Sequence, residues 1–334
     1  MPIPKAKVFA KATELNLSPS EDRLDRFRKA QLLDDLVPIP GTTQRGFLPA
    51  QANRFLFLLW LGKALGQRLR PSAMAFWLCW YGADDVPPEL VCEHIDRSLV
   101  SFLGMMGREF DRRRVPVKGV RNPEQWQKVE KPWGKFILKH YIGRAINNPI
   151  ARQVFSGTAG LALRALLAPT SFDAVAPIVR RLSHLIGIDE SKTEALRDIW
   201  AALREGVQLF TLDQYKNPLV TAVRKINATD PALIIPIVHD TRLMVAAMGA
   251  AFPIYRIDAA PEAADPNDKK LVYIARHFAP GMVAAMALTR DFPHAIEMRQ
   301  NLRKGNYEPV VAEFHQIKIV TDNIAARIGI GAKQ

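Results

Sequence analysis

Apolar residues recur at helical spacing through the longer segments of this chain, and strand signals are scarce, which makes an almost wholly helical fold the consistent reading. The punctuation agrees. Pro49 opens a segment to about Leu65, Pro71 opens another to Tyr81 that Gly82 stops, and Pro87-Pro88 starts one more to about Leu103. Proline suits the first helical turn, whose amide hydrogens have no intrahelical acceptor, and glycine suits the residue just past the end. Upstream, Lys5 to Asn16 reads as a short first helix broken by Leu17-Ser18-Pro19-Ser20. Ser18 or Ser20 can cap a second helix that carries Glu21 and Asp22 in its first turn and runs to about Ala30. Leu33 to Phe47, with two prolines, a Pro40-Gly41 pair and two threonines, reads as a loop or a small two-stranded wing.

The second half reads as a helical array over about 151–167, 171–186, 189–210, 212–226, 230–251, 269–289, 292–304 and 309–328. Ser171, Asp189 and Asp230 stand where caps belong, the last followed by Pro231 at the first helical position. Ala259 to Asp268, rich in alanine, proline and acids, reads as an exposed loop, and no internal repeat of fixed period is evident. Between the halves, Pro116, Gly119 and Pro123 interrupt a basic stretch. The expected organisation is therefore all-α in three parts: 1–105, 106–148 as a connector, and 149–334.

Charge narrows the function. The 334 residues carry 46 Lys+Arg against 33 Asp+Glu, a net +13. Residues 1–150 hold 24 and 15 of these, residues 151–334 hold 22 and 18, and the stretch 105–145 alone holds eleven and four. Such a surplus points to a polyanion, with nucleic acid ahead of a membrane surface. Apolar runs such as Phe55 to Leu61 fall far short of the ~20 residues a membrane-spanning helix needs. Two cysteines, Cys79 and Cys92, cannot make a disulfide framework or a four-cysteine zinc site; as small buried hydrophobes they fit a reducing cytoplasm, and a role in oxidation sensing or metal binding with His94 is the alternative. Nothing at the N-terminus reads as a signal peptide.

The strongest functional pattern is a pair of short helices followed by a wing. Arg23, Arg26 and Lys29 fall at three-residue spacing on one side of the second helix, with Leu24 and Phe27 largely on the other and Arg28 on the flank. A helix of this kind can enter the roughly 12 Å wide major groove. The alternative is a basic amphipathic helix whose charges simply face water.

Leu24-Asp25-Arg26-Phe27-Arg28-Lys29-Ala30-Gln31-Leu32-Leu33 resembles the end of the recognition helix in MerR-like regulators. Ala12-Thr13-Glu14-Leu15-Asn16-Leu17-Ser18 resembles that family's first helix and turn, and Arg45-Gly46-Phe47-Leu48-Pro49 its wing and the proline-initiated helix beyond. The match spans roughly residues 8–105. Asp25 stands where an arginine is usual, Arg28 where a glutamate is, and Gln31 where a glycine is. The resemblance implies a winged helix-turn-helix reader of double-stranded DNA, usually a homodimer, tied to a separate region for a small-molecule effector or protein partner. Carried over, Arg23 and Arg26 act from the helix, Arg45 reaches phosphate or minor groove from the wing, and Phe27 and Phe47 pack. The expected protein is a cytoplasmic, nucleoid-associated transcriptional regulator, not an enzyme, with no cofactor and no metal.

Other constellations are weaker. In the connector, Arg112, Arg113, Arg114, Lys118 and Arg121, followed by Lys128, Lys131, Lys135 and Lys139, interleave with Trp126, Trp133, Phe136 and Tyr141, as a secondary nucleic-acid surface would, although tryptophans at a domain junction more often anchor cores. His239-Asp240 could be part of a phosphohydrolase metal centre, and His239 with Arg242 has the spacing found in tyrosine recombinases, with Tyr273 or Tyr307 downstream. A nucleic-acid-processing enzyme built on His239 and Arg242 is thus the alternative function; a polar pair on a helix surface is the plain reading. No phosphate loop, His-Glu-x-x-His or Gly-x-Ser-x-Gly occurs. Val207 to Phe210 and Met244 to Ile254 are apolar enough to serve as pairing surface or core.

Overall fold

The computed structural model describes residues 1–65, 70–112, 176, 216–251, 269–291, 293–312 and 315. Most of them are helical. The chain begins with β1 (Ile3–Pro4), α1 (Lys5–Glu14) and α2 (Glu21–Lys29), followed by β2 (Val37–Pro38) and β3 (Arg45–Phe47). Ser20 caps α2, its hydroxyl accepting from the Arg23 amide at 3.2 Å, and Glu21 and Asp22 complement the positive end of the helix. Both helices close in one manner. After α2 the Gln31 amide returns to the Arg28 carbonyl and the Leu32 amide to the Phe27 carbonyl; after α1 Asn16 and Leu17 do the same with Thr13 and Ala12. This closure needs a left-handed residue just past the helix, and Asn16 (φ 55°) and Gln31 (φ 56°) supply it.

The segment expected to form a loop or a two-stranded wing does pair β2 with β3, and it gains a third strand from the start of the chain, in the order β1-β3-β2. A two-residue strand such as Ile3–Pro4 is too short to leave a periodic signal. Gly46 sits in the middle, opposite Pro4 on one side and Val37 on the other. A Cβ there would lie 2.4 Å from the Ile3 carbonyl oxygen, so only glycine admits β1.

Next come α3 (Pro49–Leu65), α4 (Pro71–Trp80) and α5 (Pro88–Arg112). The last runs past the expected stop near Leu103, so Arg112 ends a helix instead of lying in a connector. Further on are α6 (Pro218–Thr229), a 3-10 turn (Pro231–Leu233), α7 (Ile234–Ala251), α8 (Lys269–Leu288) and α9 (Pro293–Arg303). Asp230 caps the 3-10 turn through the Ala232 amide, so the segment expected as one helix from Asp230 opens as a tighter turn. Residues 308–312 are helical. The helices expected over 151–167, 171–186 and 189–210, and the loop at Ala259 to Asp268, lie outside the described residues, apart from a helical Ala176.

Two compact units are present. The first comprises Met1–Leu99, Ala222–Asp291 and Ala295–Asn306; the second comprises Val100–Thr221, Phe292–His294 and Tyr307–Gln334. The first unit thus draws on stretches far apart in the chain, and α4 is the reason. Its residues Ser72 to Trp80 are all buried. A helix apolar on every side must be covered on every side; α3 packs on it from within the N-terminal segment and α7 from the distant one. Nearer the sheet, Phe55 of α3 gathers Phe9, Phe27 and Phe47, with ring centroids 5.6, 6.2 and 5.4 Å away. Phe27 and Phe47 are packing residues here, locking α2 and β3 onto one core. No described helix is long and apolar enough to cross a membrane.

Candidate nucleic-acid interface

Helix α2 divides its residues cleanly. Leu24 and Phe27 are 1% exposed, while Arg26 and Lys29 point to solvent with Asp22 and Asp25. The four basic residues of the helix meet different fates. The Arg23 guanidinium donates to the Ser18 carbonyl at 2.8 Å and so braces the turn before the helix. Arg26 lies with its guanidinium carbon 5.6 Å from the Phe27 ring centroid, its charge in water. Lys29 is exposed with no ion-pair partner among the described residues.

Arg28 is held on both sides. Its Nε donates to Asp35 at 3.0 Å, its Nη2 makes a second bond to the same carboxylate oxygen, and its Nη1 donates to Asp25 at 3.3 Å. The hydrogen bonds and charge of Asp35 push the Arg28 pKa above its ordinary value. In return, hydrogen bonding to Arg28, then its charge, hold the Asp35 carboxyl below the usual range, with a smaller push from Arg45. Two consequences follow. Arg28 is already neutralised, because Asp25 and Asp35 supply negative charge beside it. And Asp35, in the segment joining α2 to the hairpin, also feels the charge of Arg45 of β3, more weakly than that of Arg28. Asp35 was not foreseen from sequence; nothing in local spacing marks a carboxylate seven residues downstream as the partner of Arg28.

Of the residues expected to form a second surface, Arg112 is the last of α5. Arg113, Arg114, Lys118 and Arg121, with Trp126 and Trp133, lie outside the described residues.

The other expected constellation divides in space. His239 and Asp240 are consecutive on α7, so they project about 100° apart around it. Asp240 is buried, and its two oxygens accept from Arg303 Nε at 2.7 Å and Nη2 at 2.6 Å. That bond raises the Arg303 pKa above its ordinary value. A carboxylate committed in this way is not free to hold a metal, and no group of three metal-binding side chains occurs among the described residues. His239 faces the end of α4 instead, its Nε2 3.7 Å from the Cys79 sulfur and its Nδ1 3.4 Å from an Asp84 oxygen. Arg242, one turn on, sets its guanidinium carbon 5.4 Å from the Tyr81 ring centroid. Tyr307 belongs to the second unit, and the side chain of Tyr273 lies outside the described residues.

Cysteine, histidine and carboxylate in line resemble nucleophilic machinery, but the sulfur fails both requirements of a nucleophile. It is fully buried, and burial pushes its pKa up to about 12. Reactive thiols are exposed and ionised near neutrality. Cys92, buried as well, is likewise pushed up to about 12. The line of contacts therefore fastens α7 to the end of α4. No family model, no curated protein and no solved structure matches the chain.

Proposed function

We propose that the chain is a sequence-specific double-stranded DNA-binding regulator, with α2 in the major groove and the β2–β3 hairpin on the flanking backbone. The observation that carries this reading is the division of α2: Leu24 and Phe27 anchor it to Phe55, and Arg26 and Lys29 stand outward one turn apart. Arg45 adds a third exposed cation from the hairpin, close enough to act on Asp35. Arg23 contributes by bracing the turn, and Arg28 by fixing the segment that leads to the hairpin. Gln31 departs from the glycine usual in MerR-like helices but keeps the left-handed conformation that a glycine would adopt there. In this reading the protein works as a homodimer at a palindromic site, in the cytoplasm with the nucleoid, and its remaining helices serve dimerisation, an effector or a protein partner.

Phosphate contacts dominate such binding and release counterions, so affinity must fall steeply with salt. Fluorescence anisotropy of a random duplex at about 50 and about 200 mM salt tests the reading. The expected result is a slope of log K against log salt of about −3 or steeper; a slope near zero sinks it. Mapping the bound genomic sites then tests specificity and the spacing of half-sites.

A further inference from the structure

Within the first unit, α9, the 3-10 turn and the start of α7 enclose an open cleft of about 430 Å³. Its lining joins apolar side chains, Leu233, Pro236, Ile237 and Ile296, to charged ones, Arg290, Arg299 and Arg303 with a single carboxylate, Asp291. We propose that this cleft binds a small organic acid, one carboxylate on a compact apolar body.

Three observations carry the proposal. Part of the apolar lining is uncovered: Leu233 and Ile296 are 41% and 39% exposed, while Ile237 belongs to the core. A ligand that covered the exposed pair would gain from the apolar surface it removed from water.

Second, the charge of the cleft is one carboxylate short. Arg290 pairs with Asp291, Nε to Oδ2 at 3.3 Å, and Arg303 pairs with Asp240. Arg299 has no carboxylate partner among the described residues. Its Nε donates to the Ala295 carbonyl at 3.1 Å and its Nη2 to the Arg290 carbonyl, both neutral acceptors. A half-buried guanidinium held only by neutral oxygens keeps its full charge, and one monoanion would complete it.

Third, two of the guanidiniums are already held in place. Arg303 uses Nε and Nη2 on Asp240, and Arg299 uses Nε and Nη2 on carbonyls, which leaves Nη1 of each without a partner among the described residues. Guanidiniums fixed in this way lose little freedom when an anion arrives. A volume of about 430 Å³ lies toward the small end of ligand pockets and suits a compact ligand. The cleft is separate from the α2 surface, and the proposal stands or falls independently of DNA binding.

The test is calorimetric titration of the full chain with octanoate, with octan-1-ol as the same body without charge and acetate as the charge without the body. Octanoate is expected to bind saturably at one site, with octanol and acetate at least about tenfold weaker. Arg299→Gln should weaken octanoate about tenfold or more. Because Arg299 also holds the Arg290 carbonyl, Ile296→Glu provides a second variant at an exposed position; it sets a like charge at the rim and should weaken octanoate similarly while thermal melting stays unchanged. The absence of saturable octanoate binding, equal affinity for octanol or acetate, or unchanged affinity in Ile296→Glu each overturns the proposal.

Discussion

The surface of α2 and the buried side of α7 both carry residues that draw attention in the sequence, and they treat charge in opposite ways. On α2 and β3, Arg26, Lys29 and Arg45 are exposed and have no ion-pair partner among the described residues. On α7, Asp240 is closed by Arg303, His239 is set between Cys79 and Asp84, and Arg242 lies over Tyr81. The residue types on α7 are those of active sites, yet their contacts are internal. What separates the proposed binding surface from structural bracing is whether a charge is still unspent. Arg28 makes the same point within α2, since Asp25 and Asp35 remove it from the set that could meet phosphate.

The comparison breaks first if the α7 side proves chemically reactive. With Cys79 and Cys92 raised from an ordinary 9.0 to about 12, the thiolate fraction at pH 8 falls by about a thousandfold, and burial slows access further. Labelling of the native protein with a disulfide reagent should therefore be at least about a thousandfold slower than in denaturant, where both thiols react. Rapid labelling of Cys79 in the native state would return His239 to consideration as a catalytic base.

Next in size is the Asp240–Arg303 pair. Removing the arginine leaves a carboxylate, with 3% of its side chain exposed, without its counter-charge. Breaking such a pair from one side costs about 3 kcal/mol or more, whereas replacing both members can be nearly neutral. Arg303→Ala should lower the denaturant midpoint markedly, and Asp240→Leu in the same chain should restore most of the loss. If the single variant melts like the parent, the carboxylate is reaching water and the contrast with α2 weakens.

On the α2 side the expected losses are in affinity and not in stability. Arg26→Ala with Lys29→Ala removes two exposed cations. Of the two, Arg26 has a buried neighbour, the Phe27 ring, centred 5.6 Å from its guanidinium carbon. The double variant should reduce duplex affinity about tenfold to a hundredfold and make the salt slope shallower by about 2, with melting changed by no more than the loss of that one ring contact. Arg45→Ala should act in the same direction at roughly half that slope change. His239→Ala and Arg242→Ala should leave DNA affinity alone; loss of affinity in these variants, with none in the α2 variants, would favour the nucleic-acid-processing enzyme.

How much of this was legible in the sequence follows the reach of local rules. Helix beginnings were readable because proline, serine and aspartate act within a turn: Pro49, Pro71, Pro88 and Ser20 stand where their helices start. The apolar face of α2 was readable because Leu24 and Phe27 obey helical spacing. The third strand was not, since Ile3–Pro4 pairs with Phe47 and Gly46 far along the chain. Nor was the union of the N-terminal elements with residues 222–291 and 295–306, because an all-round apolar helix such as α4 announces burial without naming its cover. The partner of Asp240, 63 residues away, and that of Cys79, 160 residues away, lie beyond any spacing rule.

The smallest effect tests how far the resemblance of α2 reaches into its backbone. Gln31 has φ 56°, in the left-handed region that an L side chain enters at a cost and glycine enters freely. Its side chain is exposed, so replacing it removes no packing. The amide bonds from Gln31 to Arg28 and from Leu32 to Phe27 persist with any residue in that conformation. Gln31→Gly should therefore raise stability by about 1 kcal/mol, less the extra freedom glycine has in the unfolded chain. Since Leu32 and Phe27 stay in place, the variant should keep the parent's DNA affinity and salt slope. A stabilised variant with unchanged binding would separate the closure of α2 from its exposed face. A destabilised one would mean that the chain does not turn after Lys29 as described.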